Sequence, residues 1–107
     1  MKTFELTFGP RLRLGNMLGG ATGTLGEMAA LKATFDQVRF TEDELKQIKV
    51  TTSGPMSTYE PPTAEFGAVK VTIEDSQAQV LDRHFENSLL LAVGDVEWVT
   101  ALREKLK

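Results

Sequence analysis

The chain has 107 residues, 41% hydrophobic and 25% charged, with a formal net charge of −3 and no cysteine. One folded domain around a single core suits that length and balance, and a disulfide framework, a thiol nucleophile and a thiolate metal site are excluded. Lys and Arg are dispersed through an acidic sequence, which disfavours nucleic-acid binding through a basic face, and no stretch approaches the ~18 apolar residues of a membrane helix.

The opening residues MKTFELTFGPRLRL lack the continuous apolar segment of a secretory signal, so the expected location is the cytoplasm. Phe4, Leu6 and Phe8 alternate with polar residues, the period of a half-buried strand, which Gly9-Pro10 ends. Pro10 then opens a helix through Leu12, Leu14, Met17 and Leu18, closed by Gly19-Gly20. Thr24 and Glu27 have the spacing of a capping box, and Leu25, Met28, Leu31, Phe35 and Val38 follow as a helical apolar stripe. Thr41 and Glu44 repeat the box ahead of Leu45 and Ile48, which predicts a short third helix.

Residues 51–68 hold three of the four prolines and two glycines and have no helical period, so a loop is expected there. Strands at Val50–Thr51 and Ala68–Ile73 would flank it, with VKVTI as a central strand. A box-like start at Asp75 or Ser76 with Gln79 leads into a helix burying Ala78, Leu81, Phe85 and Leu89. Gly94 and Asp95 read as a C-cap followed by an N-cap, and Val96, Val99, Leu102 and Leu106 define a last helix that ends in basic residues, as its dipole favours. The predicted class is a small single-domain α+β fold, mainly helical, with about five helices and a small sheet or hairpin. Three helices followed by strand-loop-strand is a winged-helix-like order.

Gly20, Gly23 and Gly26 match the G-x-x-G-x-x-G phosphate loop of short-chain dehydrogenase-like dinucleotide proteins. That loop needs a buried strand running straight into it, whereas Pro10, Arg11, Arg13, Gly15 and Asn16 occupy the preceding stretch, and the box at Thr41 displaces the next strand. The glycines therefore read as punctuation between helices, with no cofactor. What survives is a small-anion site at a helix N-terminus, built from Gly23 and Thr24 with Arg11 or Arg13.

His84, the one histidine, has no ligand spacing with Glu74, Asp82 or Glu86 and reads as a hydrogen-bonded residue at the core boundary. Asp36, Glu42, Asp43 and Glu44 cluster where negative charge favours a helix start, and Asp95 and Glu97 take the same reading. Trp98 is expected at the core edge. Met56, Tyr59 and Phe66 have weaker packing reasons to sit in a Pro-rich loop, which makes them the candidate partner-binding residues.

RLRLGNML, TLGEMAAL and FTEDELKQI, with VTIEDSQAQVLDRHF and VEWVTALREKL, give the chain a pattern that resembles a family of small accessory proteins of tailed phages and prophages. The resemblance implies a non-enzymatic protein of the host cytoplasm, acting by occupying a protein or sequestering a small molecule, with no catalytic residues to carry over. The resulting expectation is an interaction protein that binds a host or phage protein or self-associates, without cofactor or metal. One alternative is a sponge for a nucleotide signal in an anti-defence role, using Arg11, Arg13, Gly23 and Thr24. The other is a winged-helix nucleic-acid regulator, which Glu42, Asp43 and Glu44 at the start of its third helix oppose.

Overall fold

Alternation puts Phe4 and Leu6 on the core face of strand β1 (Lys2–Leu6) and leaves Thr3 and Glu5 on the other. A computed structural model describes residues 1–54, 56–87 and 91–107, with Met56 placed by its backbone alone. Helix α1 (Phe8–Gly19) starts two residues before Pro10, which sits in the first turn, where its missing N–H costs nothing. Phe8 thus opens the helix instead of extending the strand. Gly20 ends α1 as expected.

Helix α2 (Leu25–Val38) is capped by Thr24, whose hydroxyl accepts from the Glu27 amide. Its buried stripe is Leu31, Thr34 and Val38; Leu25, expected among them, is 87% exposed. Helix α3 (Glu42–Gln47) has the complete Thr41–Glu44 capping box.

The stretch expected as a loop contains an antiparallel hairpin, β2 (Lys49–Ser53) and β3 (Met56–Glu60), with Val50 opposite Tyr59. Gly54, at φ +61°, turns it in a conformation open to glycine. Threonines and serines dominate these strands, so a reading based on apolar period misses them.

Strand β4 (Val69–Ile73) pairs with β1 alone among the described residues, with Phe4 opposite Val71. It is therefore not a central strand. Its far side is closed by a side chain: Gln37 Nε2 donates to the Thr72 carbonyl at 2.8 Å and Gln37 Oε1 accepts from the Thr72 amide at 2.9 Å. One amide thus mimics a neighbouring strand.

Helix α4 (Asp75–Asn87) is opened by Gln77, whose Oε1 accepts from the Glu74 amide, two residues ahead of the expected partner Gln79. Leu89 lies outside the described residues. A 3-10 turn at Val93–Asp95 replaces the expected cap at Gly94 and runs into α5 (Val96–Leu106).

Sheet and helices share one core, in which Leu14, Val71, Ile73 and Leu81 are essentially inaccessible. The small α+β domain is as the sequence implied. The winged-helix comparison holds only for element order, because β1 pairs with β4 and the hairpin forms a separate sheet.

Gln37→Ala is expected to cost about 1–2 kcal/mol in urea unfolding, for the two hydrogen bonds lost to Thr72 and the one lost to the Ala33 carbonyl, and to accelerate hydrogen exchange at the Thr72 amide. An unchanged Thr72 exchange rate would remove Gln37 as the guard of that edge.

Candidate functional site

Arg11 lies one turn before Leu14 and faces inward with it, 5% exposed. All five of its N–H donors are used. Nε donates to the Val38 carbonyl at 2.6 Å, Nη1 to Glu44 Oε2 at 2.8 Å and the Gly67 carbonyl at 3.0 Å, and Nη2 to the Arg39 carbonyl and Glu44 Oε1, both at 3.0 Å. The guanidinium also stacks on Phe40, 4.2 Å from its centroid. It therefore satisfies carbonyls at the end of α2, where a cation is favoured, and fixes the start of α3 through a bidentate ion pair.

Gly67 completes this junction. It has φ +87°, and an added Cβ would come within 3.0 Å of the Phe8 ring, so a side chain is opposed by both backbone and space. Phe8 in turn packs against Phe40 at 5.5 Å and Phe66 at 6.3 Å between centroids. Phe66 therefore belongs to the packing of the junction and is not a free partner-binding side chain.

The anion site expected from the sequence does not assemble. Arg11 has no donor left for an external ligand. Arg13 grips Asp95, with Nε to Oδ1 at 3.1 Å and Nη2 to Oδ2 at 2.7 Å. Thr24 is occupied by Glu27, accepting from its amide at 3.2 Å and donating to its Oε1 at 3.0 Å, and the same carboxylate lies against Gly23. The negative charge at the α2 N-terminus is the chain's own.

Asp95 is a buried acceptor rather than a plain helix start. Besides Arg13, which ties α1 to the beginning of α5, it receives the Ala92 amide at 2.8 Å and Trp98 Nε1 at 3.0 Å. Trp98 is half-buried, edge-on to Phe85. Arg103 bridges α5 to Asp82 and Glu86 of α4. His84 is half-buried, but its Nε2 has no hydrogen-bond partner among the described residues, contrary to the expectation of a bonded boundary histidine. Asp36 pairs with Lys32 along α2.

The feature that the sequence did not reveal is a groove of about 530 Å³ above the Arg11 junction. Leu12, Phe35, Phe40 and Val38 contribute its apolar lining, with Leu45 of α3 and Tyr59 of the hairpin. Leu45 and Tyr59 are 56% and 43% exposed, and Val50, opposite Tyr59, is 54% exposed. Met56 occupies the rung opposite Ser53 at the hairpin tip. Of the expected partner residues whose side chains are described, Tyr59 lines this groove and Phe66 does not. Leu45 and Phe35 carry a signal in the sequence, apolar residues on helices, but the same signal marks a core stripe.

No protein-family model matches this sequence, and comparison with curated proteins and with solved structures finds no match.

Arg11→Lys keeps a charge but not five planar donors, and is expected to lower unfolding free energy by about 2–4 kcal/mol in urea. A loss below about 0.5 kcal/mol would show that the junction does not depend on the guanidinium. Arg11 holds Glu44 below its ordinary value of 4.5, helped by the Thr41 amide against partial burial. Arg13 does the same to Asp95, ordinarily at 3.8. Depressed carboxylates contribute stability that is complete above about pH 5 and is lost as pH falls through the folded values. Glu44→Gln is therefore expected to lower stability at about pH 7 and to shrink the further loss between about pH 5 and about pH 3, read from urea midpoints.

Proposed function

We propose that the chain is a non-enzymatic interaction protein whose groove beneath the β2–β3 hairpin receives an apolar side chain of a protein partner. The supporting observation is that Leu45 and Tyr59, both more than two-fifths exposed, line a groove with Leu12, Phe35 and Phe40, and that Val50, also exposed, lies opposite Tyr59 on the hairpin. Exposing several large apolar groups together is costly for a monomer and is a common mark of an interaction surface. The groove lining contains no carboxylate, imidazole or thiol to move a proton or attack a substrate, and its buried arginine is fully engaged.

The fixed geometry of this groove also favours binding. Arg11 and Gly67 set the α2–α3 junction before any partner arrives, which reduces the ordering cost of association. The phage-accessory resemblance supplies the setting: a host or phage protein as partner in the host cytoplasm.

The test is capture from host lysate by the wild-type protein and by the Leu45→Ser/Tyr59→Ser double variant, with sedimentation of the purified protein to separate self-association from a foreign partner. Because both side chains are exposed, the variant is expected to keep its stability within about 1 kcal/mol while losing partner capture about tenfold or more. Equal capture by the folded variant would rule the groove out. Phe66→Ser is unsuitable for this purpose, since it strips a ring from the Phe8–Phe40 cluster.

A further inference from the structure

A second cleft shares no lining residue with the first. It measures about 440 Å³ and lies between β1 and α5, lined along its length by Thr3, Phe4, Glu5, Leu6 and Thr7. Trp98, Ala101, Leu102 and Lys105 form its helical wall, and Pro10 and Lys70 complete it.

The hydrogen-bond pattern of the sheet defines what this cleft offers. In an antiparallel pair, opposed residues alternate between exchanging both backbone bonds and pointing both outward. Thr72 directs its N–H and C=O away from β1, into Gln37. Its partner Thr3 therefore points outward on the opposite edge, and so does Glu5, two residues on. Phe4, between them, is spent on β4. The free edge thus presents two N–H and two C=O groups in strand register, with no backbone or side-chain partner among the described residues. The other edge is guarded by Gln37 at the corresponding position.

We infer that the β1–α5 cleft takes an extended acidic peptide, which adds as a third strand to β4–β1. The strand edge supplies four main-chain hydrogen bonds, and the adjoining helix forms a wall, the arrangement used in β-strand addition. Alternate peptide side chains then point to opposite faces. One set meets the apolar surface of Trp98, Ala101 and Pro10. Charge selects the other: Lys70 and Lys105 line the cleft without an ion-pair partner among the described residues, against a single carboxylate, Glu5. A protein of net charge −3 therefore turns a locally positive track toward its ligand.

The probe is a fluorescein-labelled peptide of alternating glutamate and valine, about seven residues long to span the strand. Wild-type protein is expected to bind it, with affinity falling as salt rises, and to bind the lysine–valine counterpart about tenfold or more weakly. Glu5→Pro removes an outward donor that the β1–β4 ladder does not use, and is expected to weaken binding about tenfold or more with the circular dichroism unchanged. Glu5→Gln, which keeps the backbone and removes the opposing charge, is expected to bind at least as well as wild type.

Hydrogen exchange decides the matter even if Glu5→Pro does not fold. Peptide binding to the wild type should protect the amides of Thr3 and Glu5. Absence of binding at about 1 mM peptide, or binding without that protection, would overturn the proposal. Equal binding of both peptides would overturn its acidic selectivity. Concentration-dependent dimerisation of the wild type that Glu5→Pro abolishes would also overturn it, by assigning the edge to a second copy. None of these outcomes depends on Leu45 or Tyr59.

Discussion

A single guanidinium, that of Arg11, joins four separate parts of the chain. Its five donors meet carbonyls at the end of α2, a carboxylate at the start of α3 and the carbonyl of Gly67 just before β4. Burying a cation is expensive unless every donor is satisfied, and here each one is. The planar fork of arginine suits this role, because two donors match one carboxylate while the remaining three reach carbonyls in different directions. The ring of Phe40 covers the guanidinium and excludes water from one face.

The rest of the architecture follows from that junction. With the α2–α3 connection fixed, Leu45 and the hairpin residue Tyr59 are brought to the groove that Leu12 and Phe35 help to line. Gly67 must remain without a side chain because Phe8 and Phe40 press against it. At the other side of α1, Arg13 and Asp95 perform a related service for α5, and Arg103 links α5 to α4. Two arginines of one helix, two residues apart, therefore serve different junctions of the domain. Arg11 is buried and Arg13 is 43% exposed, consistent with the inward and outward faces of α1.

Legibility in the sequence follows the range of each interaction. Thr24–Glu27 and Thr41–Glu44 are spaced by one helical turn, so their caps can be read from neighbouring residues. The stripes of α4 and α5 are nearly as plain, with Ala78, Leu81, Phe85, Val99, Leu102 and Leu106 all buried, although Val96, expected with them, is 60% exposed at the first position of α5. Leu25 breaks the same rule because it sits in the first turn, where the helix has left the core. The hairpin escapes notice because β2 and β3 alternate polar residues with few apolar ones, and its strands are exposed throughout their described side chains. The anion-site residues mislead for a related reason: their chemistry is indeed anion-binding, but the anions are Glu44, Asp95 and Glu27.

Helical content, the caps of α2 and α3, most of the core and the absence of thiol chemistry are already written in the amino-acid order, because propensity, capping and periodicity act within a turn or two. Tertiary structure decides the roles of the charged residues and the surfaces available to a partner. Arg11 finds Val38, Glu44 and Gly67 across separations of 27, 33 and 56 residues. Gln37 reaches Thr72 across 35, and β1 waits for β4 at the far side of three helices and a hairpin. Such pairings depend on which surfaces the packed core brings together, and no local rule in the chain specifies them.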